Sequence, residues 1–515
     1  MATSNNSSFL SSIKVGGWTL LSRFLGLIRD MFTTNLLGAS VFHDIFVVVL
    51  KIPNVFRRFF AEGAFSQAFI PIYKSLLIKD DRSEANSFIN AIAGLMILVL
   101  VIFILLALIL APIFLLIFAP GFYFDSAYKG LAVDVLRIMF PYLALISLVA
   151  FSAGIQNSHK RFSIPAATPV IFNLILIIAA IFASRFFEIP LYSLAWGVLL
   201  AGCAQLLIQF IPLYQLDAIP RPRFDFHNSN LKRFLILILP AILAGGVAQI
   251  NLVVDTIFAS LLKEGSPTWL YVSDRLIQFP LGVFAIAIGT VLLPNLSDSY
   301  ANSNLNQFKL KLLKGIKMVT YLSIPSAIGL FFFGEVIIDL LFKRGNFVSS
   351  DVTMAFYSLQ MFAIGLPFFM GMKVMVPAFF ARQNTKIPLY IALLSLILNI
   401  VFNYLFAFYL SFGHWGLALG SSLASFIAFS TLYFILFRQK IIDFNQAFMF
   451  FGFRLLLPAS LLVLFLLFIN HYLYSVIIEL QVLNKLMSVV AIIVLSWIIY
   501  FGSAFCFGIR AKEFK

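Results

Sequence analysis

Charge is scarce in this 515-residue chain: Asp, Glu, Lys and Arg together make up 11%, against 62% hydrophobic residues. Soluble domains carry roughly a quarter of their residues as charges, so this composition excludes a soluble fold and implies a polytopic membrane protein. Cysteine is nearly absent. The two present, Cys203 and Cys506, both lie inside apolar segments, which argues against a disulfide framework or a paired-cysteine metal site. The five histidines are scattered, and no H-E-x-x-H, Walker A or G-x-S-x-G pattern occurs. No extracytoplasmic loop offers paired carboxylates near a histidine. The chain is therefore expected not to be an enzyme and to hold no metal or cofactor.

Acidic residues are the rarer sign, 21 against 36 basic ones, for a net charge of +15. Such an excess would suit nucleic acid, but the basic residues recur in short clusters between apolar stretches. That is the pattern of cytoplasmic loops, so no nucleic-acid partner is expected. The opening residues MATSNNSSFLSS contain neither a basic n-region nor an A-x-A site before the first apolar stretch. That stretch is expected to act as an uncleaved insertion signal.

What is present in quantity is apolar sequence of spanning length. With roughly 20 residues per crossing, about fourteen transmembrane helices are expected, so the fold class is an all-α polytopic membrane protein. The approximate spans are 13–37, 40–60, 88–118, 130–156, 164–186, 190–216, 232–262, 268–294, 312–342, 352–381, 386–410, 414–438, 447–470 and 483–508. Connections are short and leave no room for a soluble catalytic domain. Placing both termini in the cytoplasm puts Lys160, Arg161, Arg221, Arg223, Lys309 and Lys311 inside and leaves Lys129, Arg185 and Lys263 outside. Over all loops the bias is roughly three to one.

A weak repeat links the two halves. Asp30, Asp44, Pro53, the Ala61–Gly63 turn and Pro71 are echoed by Asp255, Asp274, Pro280, a turn at Ala287–Gly289 and Pro294. Duplicated bundles with matching interruptions are characteristic of secondary transporters. The expected organisation is a six-helix lobe over 1–216, a cytoplasmic linker over 217–231, a second six-helix lobe over 232–438, and two further helices over 439–515.

Within this apolar background, the first two spans carry Arg23, Arg29, Asp30, Asp44, Lys51, Arg57, Arg58 and Glu62. One arginine at the bilayer centre costs about 2.5–3.5 kcal/mol on insertion scales, so a lipid-facing surface would not carry this set. Two readings are open. In one, Arg57, Arg58 and Glu62 snorkel at the cytoplasmic end while Arg23 and Arg29 pair with Asp30 and Asp44. In the other, favoured by Asp44, Lys51, Arg58 and Glu62 lying near one helical stripe, the charges line a hydrated cavity suited to an anion. Arginine matches phosphate oxygens with two parallel N–H groups and stays charged, so a diphosphate is a fitting guest. In the eighth span Tyr271, Arg275, Gln278 and Gly282 share a face, and Arg275 either joins this cavity or pairs with Asp274. Asn251 and Asp255 in the seventh span, and Asn399 and Asn403 in the eleventh, are either interhelical hydrogen-bonding groups or oxygen ligands for a cation.

The motif S-R-x-x-G-x-x-R-D (Ser22–Asp30), followed by D-x-F (Asp44–Phe46) and K-x-P-N-x-x-R-R-x-F-A-E-G-A-F-S-Q-A-F-x-P (Lys51–Pro71), resembles the MurJ (MviN) lipid II flippase family. The segment W-L-Y-x-x-D-R-L-x-x-F-P-x-G-V-x-x-x-A-x-G-T-x-L-L-P (Trp269–Pro294) is similar to that family's eighth helix. The resemblance implies a member of the multidrug/oligosaccharidyl-lipid/polysaccharide exporter superfamily, working in the bacterial inner membrane. It would move lipid II, the lipid-linked peptidoglycan precursor, to the periplasmic leaflet by alternating access through a central cationic cavity. It implies substrate-binding roles for Arg23, Arg29, Arg57 and Arg275, with Asp30, Asp44, Lys51, Arg58 and Glu62 as supporting charges. A sodium site known in one branch maps onto Asp255, Asn399 and Asn403; the third position lacks the carboxylate found there, so the driving force stays open among sodium, protons and membrane potential. The last two helices resemble a pair that takes the polyprenyl tail. Partners implied are lipid II, membrane lipids and cell-wall synthesis proteins, with the monomer as the working unit. A flippase for another polyprenyl-linked glycan, such as an O-antigen unit, is the alternative.

Overall fold

The structure is a computed structural model and describes residues 2–60, 64–79, 82–442, 446–510 and 513. Among them there is no β-strand; every element is helical. The chain divides into two compact units, Met1–Glu264 and Gly265–Lys515. Eleven helices among the described residues are long and apolar enough to cross a membrane. The other three expected spans also fall on helices of spanning length, so the protein is an all-helical, multi-pass membrane protein.

The first unit comprises α1 (Ala2–Leu37), α2 (Val41–Phe60), α3 (Ala64–Ile78), α4 (Arg82–Ile109), α5 (Ala111–Phe118), α6 (Pro120–Phe124), α7 (Lys129–Met139), α8 (Tyr142–Ser158), α9 (Ser163–Ile181), α10 (Pro190–Gln215) and α11 (Ser229–Ser260). Gly38, at φ +66°, ends α1 in the left-handed conformation, and its N–H closes on the Thr34 carbonyl at 2.7 Å. The chain then turns at once into α2. This helix is packed by α1, α3, α7, α8, α10 and α11. Its residues His43 to Val49 are buried without interruption. One of the most polar spans is thus enclosed by protein rather than lipid, which is how its charges avoid the cost of hydrocarbon.

α3 lies on the stretch left between the expected spans 40–60 and 88–118. Phe65, Phe69, Ile72, Tyr73 and Leu76 recur at helical spacing and are all buried, and Phe69 stacks on Phe65 at 5.4 Å and on Tyr73 at 5.3 Å between ring centres. Between α10 and α11 the connection is strapped to α4: the Arg223 N–H bonds the Asn90 carbonyl at 3.0 Å, and the Arg221 N–H bonds Asn90 Oδ1 at 2.6 Å. Asn230 adds a bond to Glu84 at 2.7 Å. A Cβ on Gly94 would overlap the Arg223 carbonyl. Gly94→Leu is therefore expected to lift this strap at a cost of about 1–3 kcal/mol, read as faster tryptic cleavage after Arg223; an unchanged cleavage rate would refute the docking.

The second unit comprises α12 (Ser266–Pro280), α13 (Ile286–Ala301), α14 (Leu305–Phe342), α15 (Ser349–Phe380), α16 (Lys386–Asn403), α17 (His414–Arg438), α18 (Gln446–Tyr472), α19 (Tyr474–Glu479) and α20 (Val482–Cys506). α15 packs between α14 and α17, with α12 and α13 also against it; α18 and α20 pair with each other on α14. The turn expected at Ala287–Gly289 is helical instead. The interruption is a single widened π turn at Leu281–Ala285, where the Ile286 N–H reaches back to the Leu281 carbonyl. Pro280 supplies no N–H, and the helix accommodates this by widening rather than ending. The matching turn at Ala61–Gly63 lies outside the described residues.

Candidate functional site

In the first unit, Arg29 and Asp30 form one pair although they are neighbours in sequence. Arg29 Nη2 and Nε reach Asp30 Oδ1 at 2.6 and 2.9 Å, and Nη1 donates to Asn173 Oδ1 at 3.2 Å. Asn173, on α9, is itself oriented by donating to the Ser22 carbonyl at 3.0 Å. The Phe172 ring lies 5.7 Å from the guanidinium carbon. Asp30 is 1% exposed and the Arg29 side chain 11%. The geometry matches the structural ion pair for these two residues, while leaving Arg29 partly accessible. Arg23 is exposed on α1. Asp44 is buried in the first turn of α2, where a negative charge meets the positive end of the helix dipole. Lys51 and Arg57 are half-buried farther along α2. Glu62 lies outside the described residues, as does the Arg58 side chain.

In the second unit, α12 is anchored by one face. Ser273 Oγ donates to the Ala355 carbonyl at 2.6 Å, Trp269 Nε1 donates to Asp351 Oδ1 at 3.1 Å, and Val272 and Leu276 are buried. That anchoring turns Tyr271, Arg275 and Gln278 to the less buried side, as their spacing predicts. Gln278 Nε2 donates to Asp274 Oδ1 at 3.3 Å. Lys373 on α15 was not singled out from the sequence, yet it is an exposed cation within a spanning helix. A lone lysine seven residues from a helix end reads in sequence as a snorkelling group.

The two asparagines of α16 are buried and hydrogen-bonded: Asn403 Nδ2 donates to Asn399 Oδ1 at 3.0 Å, and Asn399 Nδ2 donates to Ser421 Oγ on α17 at 3.0 Å. This is the geometry of interhelical bonding. Asp255 is half-buried on α11 of the other unit, where the buried Asn251 Oδ1 has no hydrogen-bond partner. Among the described residues, no group of three or more His, Cys, Asp or Glu side chains is placed to hold a metal.

Comparison with known proteins decides the family. The model of the lipid II flippase MurJ family matches residues 33–496. The chain belongs to the lipid II flippase MurJ family. A probable lipid II flippase MurJ from Buchnera aphidicola subsp. Schizaphis graminum is 38% identical over 505 residues, covering 98% of each chain. A solved lipid II flippase MurJ in an inward closed conformation aligns with a TM-score of 0.76 at 26% identity, covering 96% of this chain and all of that one. An inward-facing multidrug resistance MATE transporter of the MOP superfamily shares the fold alone, with a TM-score of 0.67 at 12% identity over 83% of this chain and 98% of that one. Membership in this flippase family places the charges of α1, α2 and α12 in a transporter. Asn173, which bonds Arg29, and the exposed Lys373 on α15 are polar groups that motif reading passes over, because neither has a charged or periodic sequence neighbour to mark it.

Proposed function

We propose that this chain moves lipid II from the cytoplasmic to the periplasmic leaflet of a bacterial inner membrane. The observation that carries the reading is α2, a helix bearing Asp44, Lys51 and Arg57 yet wrapped by six helices of its own unit. Of these, the half-buried Lys51 and Arg57 are available to a polar headgroup while the polyprenyl tail stays in lipid. In the first unit Arg57 serves as a phosphate ligand, with Arg23 and Arg29 supporting it through charge; in the second unit Arg275 has that role, with the exposed Lys373 adding positive charge. Alternating access exposes these groups to one side and then the other. The loop bias supports cytoplasmic termini. The Asn399–Asn403 pair carries no negative charge, and Asn399 spends both its amide groups on Asn403 and Ser421, which favours membrane potential or protons over sodium as the driving force.

The test is rescue of a bacterium whose own lipid II flippase is shut off, scored by growth and by lipid II accessible at the outer leaflet. Wild type is expected to rescue. Arg57→Ala and Arg275→Ala, at equal membrane levels, are expected to lose at least tenfold in outer-leaflet lipid II, since each removes a charge-assisted contact of about 1.5–3 kcal/mol. Failure of the wild type despite insertion would overturn lipid II as substrate, and full rescue by both variants would remove the arginines from the reading.

A further inference from the structure

The C-terminal helices hold a second cationic cluster, which the transport reading does not use. Arg454 on α18 places Nη1 2.9 Å from Glu513 Oε1 and Nη2 3.1 Å from Oε2. Nη1 also donates to the Gly508 carbonyl, just past the end of α20, at 2.9 Å. Lys317 on α14 approaches the same carboxylate, with Nζ 3.5 Å from Oε2. Each cation rests on an aromatic ring of α18, Arg454 4.9 Å from the centre of Phe450 and Lys317 5.1 Å from that of Phe451. Arg454 Nε is buried and has no hydrogen-bond partner.

One carboxylate thus sits between two cations and leaves a guanidinium N–H unsatisfied. A phosphate offers more acceptor oxygens than a carboxylate and fits the same fork. The surroundings specify where that phosphate comes from. Phe450, Phe453 and Leu456 on α18 and Phe505 on α20 are each at least 60% exposed. Two cations and the carbonyl that follows α20, beside an exposed apolar face, are the composition of a membrane–water boundary.

We propose that Arg454 and Lys317 bind the phosphate of an anionic phospholipid whose acyl chains lie against the exposed face of α18, and that Glu513 holds the site when lipid is absent. A phosphodiester replaces the carboxylate charge for charge. Glu513 is suited to leaving because it lies beyond the end of α20, its N–H on the Arg510 carbonyl at 2.9 Å. Phosphatidylcholine gains less, since its own cation already neutralises its phosphate.

The test titrates the full-length protein in detergent with dioleoylphosphatidylglycerol or dioleoylphosphatidylcholine and counts bound lipid by native mass spectrometry. Phosphatidylglycerol is expected to bind more tightly, and excess inorganic phosphate is expected not to displace it. Glu513→Gln should raise phosphatidylglycerol affinity on the order of fivefold by removing the competitor. Arg454→Gln should lower it roughly tenfold and Lys317→Gln by less, with phosphatidylcholine unaffected throughout. Should Arg454→Gln fail to fold, the other two variants decide. Unchanged or weaker binding in Glu513→Gln, wild-type binding in Lys317→Gln, or displacement by inorganic phosphate would each overturn the assignment. Lipid II rescue is a separate readout, so the two proposals fail independently.

Discussion

Arg29→Ala is expected to lower the melting temperature of the purified protein and to abolish rescue of the flippase-depleted cell. The change strips the guanidinium from Asp30, which is 1% exposed, and removing one member of a buried pair costs roughly 3–5 kcal/mol. It also frees Asn173, whose carbonyl oxygen would lose its donor. Arg29→Lys keeps the charge but not the fork, and a single ammonium is not expected to serve Asp30 and Asn173 together, so an intermediate melting temperature should result. The double change Arg29→Ala with Asp30→Ala separates structure from transport. Recovery of melting without recovery of growth would mean that the positive charge itself acts on substrate. Recovery of both would make the pair purely structural, and an unaltered melting temperature in Arg29→Ala would refute the pair's importance.

Lys485→Ala should produce the other large loss. Lys485 Nζ lies 2.5 Å from Asp339 Oδ2 and ties α20 to α14, with Asp339 4% exposed. Lys343 also reaches Asp339, at 3.1 Å, but its side chain is 35% exposed, and solvent weakens its compensation. The expected cost is about 3 kcal/mol, at the lower end for a broken buried pair. Asp339→Leu combined with Lys485→Met should melt at or above the wild-type temperature, because a packed apolar pair avoids the desolvation cost. A double variant less stable than Lys485→Ala would show that the ion pair itself is needed. Since this latch lies away from α1, α2 and α12 in sequence, the double variant is expected to retain rescue.

The helices themselves were legible because the bilayer forces the signal: a stretch with few charges and about 20 apolar residues has one low-energy conformation in lipid. Each expected span falls on helical sequence, with 88–118 and 130–156 each divided between two consecutive helices, and the face of α12 that carries Tyr271, Arg275 and Gln278 follows from 3.6-residue spacing. The charged motifs of the first two spans and of Trp269–Pro294 are enough to mark the family. α3 was missed for the opposite reason. Its 15 residues are too few to span, and Pro71 suggests a break, yet its buried aromatic stripe against α8 and α11 holds it helical. The π turn after Pro280 escaped likewise, since a missing N–H says that the ladder changes but not whether the helix widens or stops.

Which charges are spent on structure was decided only by packing. Lys485 looks in sequence like a loop cation, and becomes a buried partner of Asp339 once α20 lies on α14. Arg29 is in sequence either a cavity cation or a partner of an aspartate, and Asn173, 144 residues away, helps fix it beside Asp30 by taking one edge of its fork. Asn399 and Asn403 share a helical face by spacing, but Ser421 from α17 is what commits them to hydrogen bonding. The sequence by itself determined the membrane class, the helices, the family and the charged inventory, because hydropathy and motif are local quantities. The tertiary structure decided which of those charges pair and which stay accessible, because an ion pair is set by distances between segments far apart in the chain.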